Sequence, residues 1–429
     1  MREMKDSGNK WIGLIPKTWS VERIKTIFSE RSELSEDGSE TLLSVSEYYG
    51  VANRAEKVED GEYVSRAESL VGYKKCYKGD LVSNIMLAWK GSMGVTELDG
   101  IVSPAYCVYK PSKSVYPRYY HYLFRTSLYT SIFRLYSKGI IDSRLRLYSP
   151  YFFDIKAIIP SYAEQQRIAE FLDRKCAEVD EMIALQEQII EELKAYKQSV
   201  ITEAVTKGLN PAAPMRDSGI EWIGSIPEYW EVCRIKNIAT GFSNGTSVTQ
   251  LADEDSQYAV TRIETISTGK INYDKVGYVP FFEGINKYLL VKGDILISNI
   301  NSLERVGNSA MYMGEQTLYH GMNLLRVHTN ERMFATYLHY YLRSKAFLEQ
   351  MKSCCNHAIN QVSVSSSTLK NLYIVLPNLT EQQAIADYLD EKCADIDSLI
   401  QTKQSKIDSL KEYKKSIIYE YVTGKREVE

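Results

Sequence analysis

Apolar residues recur through 161–206 at Ile168, Leu172, Val179, Met182, Ile189, Leu193, Tyr196 and Val200. Through 378–423 they recur at Ile385, Leu389, Ile396, Leu399, Ile407, Leu410, Tyr413 and Ile417. Intervals of three, four and seven residues predict two amphipathic helices with a seam of coiled-coil type. Ser161 with Glu164, and Asn378 with Glu381, supply capping boxes at their starts. Neither segment meets a Gly or Pro before Gly208 and Gly424, which allows roughly 65–70 Å of helix at 1.5 Å per residue.

Upstream of each helix the pattern changes to short apolar runs broken by Gly, Pro, Asn and Ser. "KGDLVSNI" reads as a turn into a strand, "GIVSPAYCVYK" as another strand, and "YPRYYHYLFRTSLYTSIFRLY" has helical spacing. A mixed α/β domain with a twisted sheet is expected over 1–160 and again over 215–377. "GLNPAAP" (208–214) is the expected linker between the helix at 161–207 and the second globular part.

The two halves repeat one another. Residues 4–27 and 215–238 share 15 of 24 positions without a gap, including "WIGxIPxxW" at Trp11–Trp19 and Trp222–Trp230. "YKGDLVSNI" answers "VKGDILISNI", and "YYHYLFR" answers "YLHYYLR". "PSYAEQQRIAEFLDRKCAEVDEMI" (160–183) answers "PNLTEQQAIADYLDEKCADIDSLI" (377–400) with 13 identities in 24. The blocks keep one order in both halves. A single module has been duplicated, and the natural product is a pseudo-dimer within one chain, related by an approximate two-fold axis. The fold class expected is α+β: two globular α/β domains and two long antiparallel coiled-coil helices.

Charge sharpens this picture. The two helical segments hold 11 Lys or Arg against 19 Asp or Glu, so they carry −8 of the chain's net −3 and leave +5 for the remainder. Residues 101–160 alone hold nine Lys or Arg against Asp142 and Asp154. A basic stretch interleaved with some of the chain's 32 tyrosines, present in both copies, is a nucleic-acid footprint. Seven cysteines without a C-x-x-C pair suit a reducing cytoplasm better than a disulfide framework. Cys354 and Cys355 read as small, partly buried thiols, and Cys176 and Cys393 as small seam residues. The first residues have no apolar stretch behind their charges, and no run is long enough to span a membrane, so neither a signal peptide nor membrane association is expected.

Motifs for chemistry are missing. No Gly-rich methyl-donor loop, no Asn/Asp-Pro-Pro-aromatic turn, no G-x-x-x-x-G-K-[ST] and no H-E-x-x-H occurs. His121 and His339 match between copies and read as packing residues. Trp11, Trp19, Trp222 and Trp230 read as core anchors.

The paired "W-I-G-x-I-P-x-x-W", the "K-G-D" turn and "P-x-x-x-E-Q-Q-x-I-A-x-x-L-D-x-K" at the start of a long helix resemble the specificity subunit of type I restriction–modification systems. That resemblance implies two target-recognition domains (1–160 and 215–377), each reading half of a split DNA sequence. Two conserved helices (161–207 and 378–429) hold them apart. It further implies two adenine-methyltransferase subunits as partners and, in a restriction complex, endonuclease/translocase subunits. No cofactor is expected in this chain; S-adenosylmethionine, Mg2+ and ATP belong to the partners.

Direct readout needs side chains that pair with base edges: Arg with guanine, Asn or Gln with adenine. "SKGIIDSRLRLYSP" (137–150) and "NHAINQVSVSSS" (356–367) stand at corresponding places before the last strand of each domain. Counted from Pro160 and Pro377, Arg144 falls opposite Gln361 and Ser143 opposite Asn360. Lys90 and Ser92, then Asn301 and Arg305, follow the two "SNI" strands and are further candidates. Lys138 and Arg146 suit phosphate contacts. Two other classes fit the same residues: a protein-binding scaffold without DNA readout, and an unfamiliar DNA-cleaving enzyme.

Overall fold

Pro160 and Pro377 each follow a strand, Lys156–Ile159 and Tyr373–Leu376, and the chain then turns at once into a long helix. The computed structural model describes residues 2–56, 69–249, 258–358 and 361–428. It comprises two units, Met1–Gln186 with Ser405–Glu429, and Glu187–Gln404.

In the first unit an antiparallel sheet of four strands runs in the spatial order Phe28–Arg31, Tyr106–Pro111, Leu81–Asn84, Met93–Val95. The second unit repeats it with Ala239–Asn244, Leu324–Thr329, Ile295–Ser298 and Ser309–Met311. In each, a separate pair joins the strand after the second Trp to the strand before the proline: Ser20–Arg23 with Lys156–Ile159, and Glu231–Arg234 with Tyr373–Leu376. Strand segments are short, and "GIVSPAYCVYK" forms two of them, Gly100–Val102 and Tyr106–Pro111. A turn closed by the Tyr106 N–H on the Ser103 carbonyl separates them. The tyrosine-rich run is likewise two helices, Pro117–Leu123 and Ser127–Tyr136. Thr126 starts the second by accepting the Tyr129 N–H at its hydroxyl.

The long helices run Tyr162–Lys207 and Leu379–Val422. The start of the first helix and the end of the second belong to the first unit, and the end of the first helix and the start of the second belong to the second unit. Within the first unit the start of one helix packs antiparallel to the end of the other: the rings of Phe171 and Tyr421 meet tilted with centres 4.5 Å apart, and Asp180 accepts from Lys414 at 2.6 Å. The second unit mirrors this, with Asp397 accepting from Lys197 at 2.6 Å. The buried face is not quite the one expected. Ile168, Leu172 and Val179 are buried, with Ile385, Leu389 and Ile396, but Met182, Tyr196, Leu399 and Tyr413 are exposed. Cys176, Gln186 and Ile190 are buried in the first helix, and Cys393 and Ile407 in the second. Cys176 and Cys393 are seam residues as expected, and Ile407 and Ile417 of the expected stripe are buried too; Gln186 and Ile190 are inward positions that the apolar spacing did not mark.

The helix starts are built around Glu-Gln. Ser161 and Asn378 cap the N–H groups of Glu164 and Glu381 at 3.4 and 3.0 Å. The glutamates do not complete the capping boxes. Their carboxylates accept the indole N–H of Trp19 (2.7 Å) and Trp230 (3.0 Å), both buried in the core. Trp11 and Trp222, expected as core anchors, are substantially exposed, because they sit in the turn before the motif's buried isoleucine and proline. Gln165 and Gln382 are fully buried. Gln165 accepts the Tyr116 N–H at 2.8 Å and donates to the carbonyls of Pro160 at 2.9 Å and Ser114 at 3.5 Å. Gln382 does the same with Phe334 N–H, Pro377 and Arg332 at 2.8, 2.8 and 3.0 Å. One amide thereby satisfies three backbone groups at once, including the buried carbonyl that ends the preceding strand segment.

Candidate nucleic-acid interface

Two segments distant in sequence meet on one face of each unit. In the first, the backbone N–H of Leu147 donates to the Ile85 carbonyl at 2.9 Å. This brings the segment before the final strand against the one that follows Leu81–Asn84. In the second, the Val364 N–H donates to Asn299 at 2.8 Å, and strand Ile300–Asn301 pairs with Gln361–Ser363. Leu147 and Val364 stand at equal distance from Pro160 and Pro377. The "SNI" blocks sit one residue out of step, because one more residue separates Asp294 from its "SNI" than separates Asp80 from its own.

The loop of the first unit is closed by mutual backbone bonds between Lys138 and Arg146 (2.8 and 2.9 Å) and contains the short helical turn Asp142–Arg144. Its neighbours are cationic. Arg134, from the helix Ser127–Tyr136, lies 4.8 Å over the Trp89 ring and donates to Asp142 at 2.7 Å. Lys90 covers the same indole at 5.3 Å, and Lys138 lies 4.6 Å from the Tyr151 ring. Lys90, Lys138, Ser143 and Arg144 are exposed. Arg146 is half-buried and its guanidinium donates to the carbonyls of Ser143 and Leu145, so it shapes the loop. Ser92 is 1% exposed and donates its hydroxyl to the Val45 carbonyl at 3.1 Å. It is a packing residue, and its candidacy as a DNA contact is withdrawn.

In the second unit Arg305 and Gln361 are exposed, the latter at the end of a hairpin between Asn356–Ala358 and Gln361–Ser363. Asn301 is half-buried, donates to Ser298 and accepts the Ser302 N–H, which uses one amide N–H and one carbonyl lone pair and leaves one of each. Asn360 lies outside the described residues. Cys354 and Cys355 are half-buried, with thiols on the Gln350 and Met351 carbonyls; burial raises both pKa values.

The matched histidines are internal. His121 accepts the Val95 N–H at Nδ1 (3.2 Å), and burial first, then Arg125 and Arg118, holds its pKa well below the ordinary value. Burial pushes His339 down to about 3. Both are neutral spacers, consistent with packing. Arg125 donates to the carbonyls of Glu47 and Tyr48 and so ties a loop to the helix above it. Sequence reading missed the buried Gln165 and Gln382, two of whose three backbone partners each lie about 50 residues upstream. Their signal was present in the repeat, where both copies keep Glu-Gln-Gln. Among the described residues no cluster of three or more His, Cys, Asp or Glu is placed to hold a metal ion, and no helix is long and apolar enough to cross a membrane.

Two similar frames, each with a differently furnished polar face, make a duplicated protein of mixed helix and strand. Residues 227–422 match the family model "Type I restriction modification DNA specificity domain". The chain is 42% identical over 205 residues to the MjaX type I restriction enzyme specificity subunit of Methanocaldococcus jannaschii. That match covers 47% of this chain and 47% of that protein, so the chain spans about half of that relative's length. It is 23% identical over 405 residues to the EcoKI specificity subunit of Escherichia coli, covering 90% and 84%. Among solved structures, a chain from work on assembly and conformational transition of the type I restriction–modification system matches with TM-score 0.72 at 17% identity, covering 96% and 99%. The HsdS subunit of Thermoanaerobacter tengcongensis matches with TM-score 0.53 at 17% identity, covering 96% and 98%. The chain is thus similar over residues 227–422 to the type I restriction–modification specificity domain, and over most of its length to specificity subunits of such systems.

Proposed function

We propose that this chain reads a bipartite DNA target, one half with each unit, and performs no chemistry itself. The observation carrying this reading is the pairing of constancy with divergence. Glu164, Gln165 and Trp19 repeat as Glu381, Gln382 and Trp230, whereas the exposed loop residue Arg144 is answered by Gln361. Arg suits guanine and Gln suits adenine in the major groove, so one backbone position serves two different half-sites. Lys90 and Lys138 would supply the phosphate contacts that fix register without sequence information. Methyl transfer from S-adenosylmethionine, and any ATP- and Mg2+-dependent cleavage, would reside in two methyltransferase subunits and in endonuclease subunits docked on this one.

Sequencing modified genomic DNA from cells with and without the chain tests the reading. A split adenine-methylated motif should vanish on deletion and return on complementation. Methylation by the purified chain alone, or cleavage of DNA by it with Mg2+, would overturn the non-catalytic assignment. A motif that persists without the chain would favour a scaffold role.

A further inference from the structure

We propose that Ile140 and Ile141 form an apolar wedge that enters the base stack of the half-site read by the first unit; this rests on the DNA-reading function proposed above. Ile140 is 100% exposed and Ile141 54%. A lone exposed apolar residue needs no explanation, but these two are adjacent in the loop closed by Lys138 and Arg146, just before the turn Asp142–Arg144. Below them the loop is fastened several times over. Lys138 and Arg146 exchange backbone hydrogen bonds, the Arg146 guanidinium binds the Ser143 and Leu145 carbonyls, and Asp142 is held by Arg134. Gly139 lies so close to the other limb that a Cβ there would sit 2.5 Å from the Arg144 carbonyl oxygen. The tip is therefore presented in a fixed shape, and little conformational freedom remains to be lost on binding.

Charge selects the occupant. Lys138 and Arg144 flank the tip, with Lys90 and Arg134 stacked on Trp89 beside it. An apolar protein surface would have to desolvate these cations without replacing their hydration. A duplex offers both complements at once: phosphates along its edge for the cations and apolar base faces for the isoleucines. Ile is among the side chains that wedge between base steps and kink or unstack them. An opened step next to the target would also lower the cost of extruding a base, which chemistry on a stacked base requires.

The experiment uses this chain complexed with its methyltransferase subunits, on the site defined by methylation sequencing. 2-Aminopurine is placed in turn at each position of the half-site except the methylated adenine. With the wild-type chain, fluorescence should rise at one step on binding. Ile140→Ser with Ile141→Ser should abolish that rise and weaken binding by about tenfold, while Ile140→Leu retains both. An abasic nucleotide at that step should recover much of the double variant's lost affinity, since the stack is already open. The proposal is overturned if no position brightens although the wild-type complex binds its site tightly, or if the double variant brightens the step equally. It is also overturned if the double variant keeps its DNA affinity and loses a subunit instead, for the tip would then dock protein. Failure of the wild-type complex to prefer its site over unrelated duplex would instead refute the DNA-reading function itself.

Discussion

Glu164 and Glu381 hold Trp19 and Trp230 in the same way, and Gln165 and Gln382 satisfy equivalent backbone groups. Tyr122 and Tyr340 each donate to an aspartate eight residues beyond that glutamine, Asp173 and Asp390, at 2.6 Å. A short distance away this likeness ends. One unit carries a loop bearing Ile140, Ile141 and Arg144; the other carries a hairpin with Gln361 at its end. The difference separates two kinds of constraint. Side chains that close buried hydrogen bonds cannot change without leaving a polar group stranded, so duplication preserves them. Side chains on the exposed loops answer only to what binds there, so the copies are free to diverge.

The strongest way to break that comparison is to attack the frame. Gln165→Leu and Gln382→Leu should each destabilise their own unit by about 3 kcal/mol or more, because three backbone groups lose their partner at once. Denaturant unfolding followed by a probe in each unit should show matched losses. A large loss in one unit and none in the other would mean that the frames are not equivalent.

Attacking the faces should give the opposite result. Arg144→Ala and Gln361→Ala should leave stability within about 0.5 kcal/mol of the parent, as exposed substitutions do. Each should weaken discrimination at one half-site by about 1–3 kcal/mol and leave the other half untouched. Binding-site selection with the assembled complex measures this. If both variants relaxed the same half, the assignment of one face to one half-site would be wrong.

The physical cause of constraint also decides what could be read from sequence. The duplication, the long helices and their capped starts were legible because each is a local or repeated pattern. The central sheet strand Tyr106–Pro111 pairs with Phe28–Arg31 across more than 70 residues, and no local pattern encodes that. The seam was partly misread because periodicity counts apolar residues. The inward face accepts Gln186, while Met182 and Tyr196 point to solvent. At the candidate interface, polarity and position placed Arg144, Gln361 and Lys138 on the surface. They could not show that Ser92 is tucked beneath the Val45 carbonyl, since a buried serine and a ligand-facing one look alike in sequence.

A titration provides a finer test of equivalence. Burial depresses the pKa of His121 and of His339, the latter to about 3. A depressed folded pKa means that the unfolded chain binds the proton first. Stability is therefore fully present above the unfolded value near 6.5 and is lost as pH falls towards the folded one. The loss should be at most about 1.4 kcal/mol per pH unit for each histidine. His121→Asn and His339→Asn should each flatten the decline of stability between pH 6.5 and 4, whatever they do to stability at pH 8. An unchanged slope in either variant would mean that its histidine takes up no proton on unfolding.

The smallest effect is expected at the ion pairs Lys197–Asp397 and Lys414–Asp180, both 2.6 Å long and set at matching positions of the two helices. Each lysine is largely covered, with side-chain exposures of 16% and 28%, while each aspartate faces water at 49% and 57%. The aliphatic stems cover the seam and the ammonium groups reach out to solvent. Lys→Met at either position keeps the stem and removes the charge, so the packing term should cancel. What remains is a half-exposed pair, worth about 0.2–1 kcal/mol at low salt and less as ionic strength rises. Unfolding of Lys197→Met and Lys414→Met at low and high NaCl should show two small, similar losses that shrink together. A pair that kept its full effect in high salt would be shielded from solvent. The helix packing of that unit would then differ from its copy where the repeated sequence says it should not.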